Sequence, residues 1–411
     1  MKNAKPDISN AAKKGITRRE GLTLTLLSSA LVLAGCGGGG GGTTASAGGA
    51  AGTGGTGAAG GSSATGAITG FGSIIVGGVR FDDSAASVQD DDGVSMNSGD
   101  LKLGMVVKIK GEKKTDDGIS IRAKANSVEV RSELQGPVDS KTADSIVVLG
   151  QTVKISASTF FEDGLSLATL VVGAVVEVHG FVDPVNNALT ATRIESKPNA
   201  KVFKLQGAIK ALNTAAKTFS IGTVTISYLT AEVPASLILA NDLVVRVRLA
   251  TTPLTGTRTA LQIRKVEIEN EDRNEAEVEG IITAFTSSSK FSVNGLPVDA
   301  SNAAFEGGTA GVVLGARVEV EGSVVNGVLV AKKVEVEGGE EAAKFELHGT
   351  ISLLNTTAKT FVLRGLTVDY GSATFAAGVT ALTLANGLNL EVKGRRSVSN
   401  VIVATRISLE K

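Results

Sequence analysis

The sequence predicts an all-β chain: five tandem small antiparallel barrels of about five strands each, behind a disordered leader and a glycine-rich tether. Three observations predict it. A short run ending in glycine recurs at Gly70, Gly136, Gly207, Gly280 and Gly349, about 66 to 73 residues apart. Between these glycines, apolar and polar residues alternate with the period of a half-buried strand. Glycines such as Gly222 and Gly365 part short alternating runs, where a two-residue hairpin needs φ > 0.

In chain order, residues 1–35 have the parts of an export signal peptide. The n-region carries Lys2, Lys5, Lys13, Lys14, Arg18 and Arg19, and an apolar run from Gly21 to Leu33 follows. At about 13 residues that run is shorter than the ~20 a spanning helix needs. Leu33-Ala34-Gly35-Cys36, which holds the only cysteine of the chain, resembles a bacterial lipobox. The resemblance implies a lipoprotein, with cleavage before Cys36 and palmitate-type acylation of its thiol. Thr17-Arg18-Arg19-Glu20-Gly21-Leu22 resembles a twin-arginine export motif, with Gly21 where an aromatic usually stands. By resemblance to Gram-negative lipoproteins, Gly37 in place of aspartate implies the outer over the inner membrane of the cell envelope.

From Cys36 to Gly66 the chain is almost all Gly, Ala, Ser and Thr, and it is expected to act as a flexible tether. Its r.m.s. reach is about 30 Å.

The five repeats are assigned to residues 67–132, 133–200, 201–273, 274–341 and 342–411. In each, an apolar residue and a small turn precede an alternating strand. Leu103-Gly104-Met105-Val106-Val107-Lys108-Ile109-Lys110-Gly111 and Leu314-Gly315-Ala316-Arg317-Val318-Glu319-Val320-Glu321-Gly322 are examples. The third copy is degenerate, with Asn241-Asp242 at the turn. Five short antiparallel strands closed on themselves leave little exposed edge, which makes an OB-like barrel the expected form and an open sandwich the alternative. The longer segment between third and fourth strands, Ser158 to Thr169 for instance, is expected to carry a short helix or helical turn. Units of this size bury only about 60% of their unfolded surface, so neighbouring copies are expected to pack into a rod or arc. Glu269-Asn270-Glu271-Asp272-Arg273 and Glu337-Gly338-Gly339-Glu340-Glu341 mark joints.

The opening Thr69-Gly70-Phe71-Gly72-Ser73-Ile74-Ile75-Val76-Gly77-Gly78-Val79-Arg80-Phe81 and the Leu-x-x-Gly-x-Val-Val-x-Val-x-Gly pattern resemble a bacterial domain-of-unknown-function family. That family consists of tandem small β-barrel repeats in exported lipoproteins. The resemblance implies a fold; no catalytic residue comes with it.

Reactive groups are sparse. His179 and His348, the two histidines, fall at non-equivalent places and are expected to face solvent. With one cysteine there is no zinc set, and no cofactor is expected. Asp90-Asp91-Asp92-Gly93 is the best candidate for a metal site, weighed against a solvated acidic loop, because the spacing of a calcium loop is missing. Asp116-Asp117-Gly118 reads as a hairpin turn, and Gly72 to Gly78 as a strand and turn with no phosphate-loop ending. The leader carries six of the 41 Lys+Arg and two of the 41 Asp+Glu, so its removal leaves a net charge near −4. With no Trp, and Tyr only at 228 and 370, that charge argues against nucleic acid as a partner. The expectation is a non-enzymatic interaction or spacer protein, held on the membrane by its N-terminal lipid and facing envelope proteins or a surface polymer. A small-ligand or cation-binding role is the alternative, and a hydrolase built on His179 comes last.

Overall fold

A computed structural model describes residues 59–118, 120–183, 188–266, 271–337, 344–397 and 401–410. The expectations for Arg18, Arg19, Leu33, Ala34, Gly35 and Cys36 lie outside the described residues. Among those described, no helix is long and apolar enough to cross a membrane.

The second repeat shows the plan. Its strands are Leu134–Lys141, Ser145–Val148, Gln151–Lys154, Val175–Asp183 and Ala188–Ser196. The first pairs antiparallel with the second, and the second with the third. The third then runs parallel to the fifth, the fifth antiparallel to the fourth, and the fourth returns to the first. This order, 1-2-3-5-4-1, closes the sheet into an OB-like barrel. The long connection after the third strand makes its parallel pairing possible.

The fourth repeat (Arg273–Ser287, Lys290–Val293, Leu296–Asp299, Arg317–Val325, Val328–Val336) closes in the same order. So does the fifth (Lys344–Asn355, Thr360–Leu363, Leu366–Asp369, Asn389–Arg396, Ile402–Leu409). In the first and third repeats the opening strand is broken in two, Ala59–Ala67 with Gly70–Phe71 and Phe203–Ala208 with Lys210–Asn213. Both rings still close.

One backbone device recurs in all five. The amides of Ile68, Val138, Ile209, Ile282 and Ile351 donate to the carbonyls of Met105, Ala174, Leu243, Ala316 and Leu388 at 2.8–3.0 Å. The residue before each acceptor, Gly104, Gly173, Asp242, Gly315 or Gly387, donates back at 2.8–2.9 Å. Each of these residues has φ between 70° and 90°, which favours glycine and tolerates aspartate. The motif glycines are therefore the αL corners that lock the fourth strand onto the first.

A second set sits at a bulge. Gly111, Gly180, Gly322 and Gly394 lie where the register between fourth and fifth strands slips. A Cβ there would stand 2.2–2.7 Å from a carbonyl of the facing strand.

The chain departs from the expectations in three ways. Ala59–Gly66, assigned to the tether, belongs to the first strand. It lies between the fourth strand of its own barrel and the first strand of barrel 4, where small residues fit: a Cβ on Gly66 would meet Glu279 Oε2 at 2.7 Å. The third-to-fourth connection holds more than the expected helical turn. Barrel 1 has that turn, a 3-10 one at Ser98–Asp100, but short extra strands also lie there, Ser87–Asp90 in barrel 1 and Phe160–Phe161 in barrel 2, each parallel to the fifth strand. No α-helix fills the connection among the described residues. Finally, packing is not confined to chain neighbours, as a rod or arc requires. Barrel 1 pairs its first strand in parallel with those of barrels 4 and 5, while barrels 2 and 3 pair with each other. The apolar cores follow suit, barrels 1 and 5 sharing one and barrels 2 and 3 another.

Candidate functional site

The buried charged residues cluster at the joints between barrels. They arise on outward strand faces, which in an isolated barrel would be wet. Here a second barrel covers them.

Asp91 shows the effect. The acidic loop at Asp90–Asp92 is neither solvated nor open to a metal, because barrel 3 closes on it. The Asp91 side chain is only 3% exposed; it pairs with Lys204 Nζ at 2.9 Å and with Arg246, and its Oδ2 accepts from the Ser132 amide at 3.1 Å. Asp92 reaches Lys204 at 3.0 Å and Arg248 at 3.8 Å. Burial pushes the Asp91 carboxyl up, but Arg246 and Lys204 outweigh it and hold the group below its ordinary range. The loop is thus an ionic latch between barrels 1 and 3.

The histidines are a second correction, since neither faces solvent. His179 is 1% exposed and His348 2%. His179 Nδ1 lies 2.6 Å from the Arg131 carbonyl, joining barrels 2 and 1, and its Nε2 has no hydrogen-bond partner among the described residues. His348 lies under Gly72 of barrel 1, where a Cβ would approach it to 2.3 Å. Its Nε2 is 2.7 Å from Glu346 Oε1 and its Nδ1 3.3 Å from Glu410 Oε1. Contact with barrel 1 removes both from water.

Three groups of potential metal ligands come together, Glu177/His179/Glu195, Glu346/His348/Glu391 and Asp90/Asp91/Asp92. Side-chain cations neutralise each. Lys197 Nζ bridges Glu177 and Glu195 at 2.9 Å from both. Lys393 spans Glu346 and Glu391 at 3.3 and 3.4 Å, and Arg80 of barrel 1 pairs with Glu346. Burial opposes ionisation of Glu195, yet Arg193 and Lys197 pull it down to about 2. Glu346 is likewise held at about 2 against burial, by the His348 hydrogen bond, Lys393 and Arg80.

The barrel 1–barrel 4 joint has the opposite balance. Glu279 and Glu319 stand opposite one another, and Glu335 faces Glu319 on the next strand. Burial, reinforced by Glu277 and Glu279, pushes Glu319 up to about 9. Burial lifts Glu277 to about 7 even though Lys114 of barrel 1 pairs with it. Like charges in register across strands destabilise, and protonation relieves them.

A cleft of about 870 Å³ opens where barrels 1, 2 and 5 meet. Phe71, Met96, Phe160 and Phe161 supply apolar lining, with Arg193 and Arg364 among its charged residues. Phe160 packs edge-on to Phe345 at 4.5 Å, and the Arg396 guanidinium sits 5.3 Å from the Phe160 ring. Tyr228 and Tyr370 pack on Phe219 and Phe361 of their own barrels.

Arg193, Lys204, Arg246 and Arg80 were not singled out from the sequence, because on an alternating strand each reads as an ordinary outward charge. Asp116–Gly118 forms the expected turn, with the Gly118 amide donating to Asp116 Oδ1 at 2.8 Å. Gly77 and Gly78 turn the strand Ile74–Val76 into Val79–Asp82, as expected.

A family model described as a domain of unknown function (DUF5666) matches residues 65–125, 135–195, 279–335 and 348–408, more than half of the chain. The chain belongs to that family and carries it as tandem repeats. Barrel 3 lies between the matched segments and has the same strand order. No curated protein matches. Among solved structures, one titled "drosophila Unr CSD456" is similar over 41% of this chain and 79% of that one, at 14% identity and a TM-score of 0.16. At that score the likeness carries no argument, and the fold rests on the strand pairing.

Proposed function

We propose that this chain is a lipid-anchored envelope protein whose barrels serve as one non-catalytic interaction scaffold, held off the membrane by the residues between Cys36 and the first strand. The observation that carries the reading is the use of the charged clusters as joints. Histidines and carboxylates that would otherwise be free for chemistry are covered by a neighbouring barrel, and the carboxylates are paired with arginines or lysines of that barrel or their own. Such joints favour a single extended surface over independent modules on linkers. Mass spectrometry of the protein from a membrane fraction, wild type against Cys36→Ser, tests the anchor. Acylated Cys36, with the variant released or unprocessed, is the expected outcome; a soluble unmodified wild type removes the anchor.

The cleft at barrels 1, 2 and 5 favours a second reading, a small-ligand-binding envelope protein. Its aromatic patch of Phe71, Phe160 and Phe161, ringed by charged groups of both signs such as Asp100, Glu162, Arg193 and Arg364, fits an amphipathic molecule. Calcium belongs to the same alternative through the Asp90–Asp92 loop. Calorimetric titration with calcium is expected to give no heat, since Lys204 and Arg246 already neutralise Asp91.

A further inference from the structure

One joint shows how a barrel of this family grips another. The turn Leu101–Gly104 of barrel 1 sits on the fifth strand of barrel 2. Thr192 Oγ1 donates to the Gly104 carbonyl at 2.6 Å, and Arg193 NH1 donates to the Leu103 carbonyl at 3.1 Å. A Cβ at residue 104 would stand 2.4 Å from the Thr192 carbonyl, so the seat requires glycine. Leu103 is 2% exposed in consequence. The turn is a plug and Thr192-Arg193 its socket.

Both halves of this joint occur a second time, unused. Aligning the fifth strands on the residue opposite the bulge places Ala191 with Ala404. Ala191-Thr192-Arg193-Ile194 then coincides with the identical Ala404-Thr405-Arg406-Ile407 of barrel 5. The short extra strand is repeated as well, Phe160 facing Arg193 and Thr374 facing Arg406. Thr405 and Arg406 are exposed, and Arg406 has no hydrogen-bond or ion-pair partner among the described residues. The plug recurs as Leu314-Gly315 of barrel 4, with Gly315 at φ 82° against 80° for Gly104. There Leu314 is 46% and Val313 49% exposed. In barrels 3 and 5 the leucine position is Asn241 or Asn386, whose Oδ1 accepts the Leu212 or Leu354 amide of its own barrel. Those two turns are closed on themselves, and in barrel 2 the exposed Val172-Gly173 turn has a β-branched valine in place of the leucine that the seat receives.

We propose that the Leu314-Gly315 turn of one copy docks on the Thr405-Arg406 strand of a second copy, repeating between chains the joint seen within the chain. Thr405 Oγ1 then donates to the Gly315 carbonyl and Arg406 to the Leu314 carbonyl. Thr405 Oγ1, now on the Lys393 carbonyl at 3.0 Å, turns to do so. Plug and socket lie on different barrels, so the contact is heterologous and a docked pair keeps one free plug and one free socket. Such a contact grows head to tail. One turn on one strand covers less than the ~1,200 Å² of a stable interface, so the contact is weak in dilute solution. It strengthens where copies are concentrated on a membrane. Only this last step rests on the anchored reading above.

Sedimentation velocity of the full chain in detergent, over a concentration series, reads the contact. Wild type is expected to sediment faster as concentration rises. Leu314→Glu and Arg406→Glu each weaken association by about tenfold or more, as loss of a charge-assisted hydrogen bond or a buried leucine requires. Val172→Glu, on the plug of barrel 2, leaves it unchanged. Mixing the two interfering variants is the decisive arm. Leu314→Glu keeps its socket and Arg406→Glu its plug, so the mixture forms capped heterodimers and nothing larger; that rescue also shows that both variants fold. A wild type that stays monomeric at every concentration overturns the proposal. So does association that survives both substitutions, or a mixture that gives no heterodimer. None of these outcomes bears on acylation of Cys36, so the two readings fail separately.

Discussion

Barrels 2 and 3 are neighbours in sequence and paired through their first strands, yet the family model matches one and passes over the other. Barrel 2 has glycine at all three constrained positions, Gly136, Gly173 and Gly180. Barrel 3 keeps Gly207 but has Asp242 at the αL corner and Leu249 at the bulge. Both make the same reciprocal hydrogen bonds between first and fourth strands, and both close in the same order. The fold is therefore specified by the backbone geometry at these points. Glycine is the cheapest way to reach it, and aspartate or a re-aimed side chain also suffices.

The bulge gives the sharpest test. Gly180→Leu puts a Cβ about where the Thr190 carbonyl approaches to 2.2 Å. Leu249→Gly instead empties a fully buried site in the core that barrels 2 and 3 share. Each is expected to destabilise its own barrel by about 3 kcal/mol or more. Hydrogen exchange resolved by peptide reads this, with faster exchange confined to the altered pair of barrels. If Leu249→Gly proves neutral, the leucine is not a packed substitute for glycine and the comparison fails.

The latch comes next. Asp91→Asn leaves Lys204 and Arg246 of barrel 3 facing an uncharged amide in a buried joint, at a cost of about 3 kcal/mol. Exchange should rise in Phe203–Ala208 and Val244–Leu249 while barrel 5 is unaffected. Equal protection in wild type and variant would mean that the shared core alone holds barrel 3.

The two barrels should also part in their response to acid. Where barrel 2 has Glu195, the aligned position in barrel 3 is Arg264, four residues beyond the alanine opposite the bulge in each case. Glu195 has its folded-state value depressed to about 2 from an ordinary value of 4.5, so it contributes stability above about pH 4.5. That contribution, about 3 kcal/mol, drains away as pH falls from about 4.5 towards 2. Protection of barrel 2 measured across this window should fall in wild type and stay flatter in Glu195→Gln.

The smallest effect is a gain. Asp242→Gly relieves an aspartate at φ 70° and loses only an exposed pair with Lys210. Barrel 3 should become more stable by about 0.5–1 kcal/mol. A thermal melt that drops would show the Lys210 pair to matter more than the backbone.

The repeats, the hairpin turns and the αL corners were legible because each is fixed by local chemistry: a glycine spacing, an alternation of period two, a residue that must take positive φ. Even the degenerate Asn241-Asp242 could be aligned, since aspartate is one of the few residues that tolerate that corner. The fates of His179, His348 and Asp91 were not legible. Their surroundings come from other barrels, Arg131 lying 48 residues from His179 and Lys204 113 from Asp91, and nothing in an alternating strand says whether its outward face meets water or another barrel. Ala59–Gly66 misled for a related reason. A run of Gly, Ala and Ser looks like a tether until a second barrel presses on it, when small side chains become what the space requires.

Fold class, repeat period and the glycine frame of each barrel could be read from local residues, because closing a small sheet depends on steric limits within a repeat. Tertiary structure alone decided how the repeats join, which charges are buried and which plug meets a socket. These depend on the electrostatic and packing fit of outward faces, which become neighbours only once the barrels have formed.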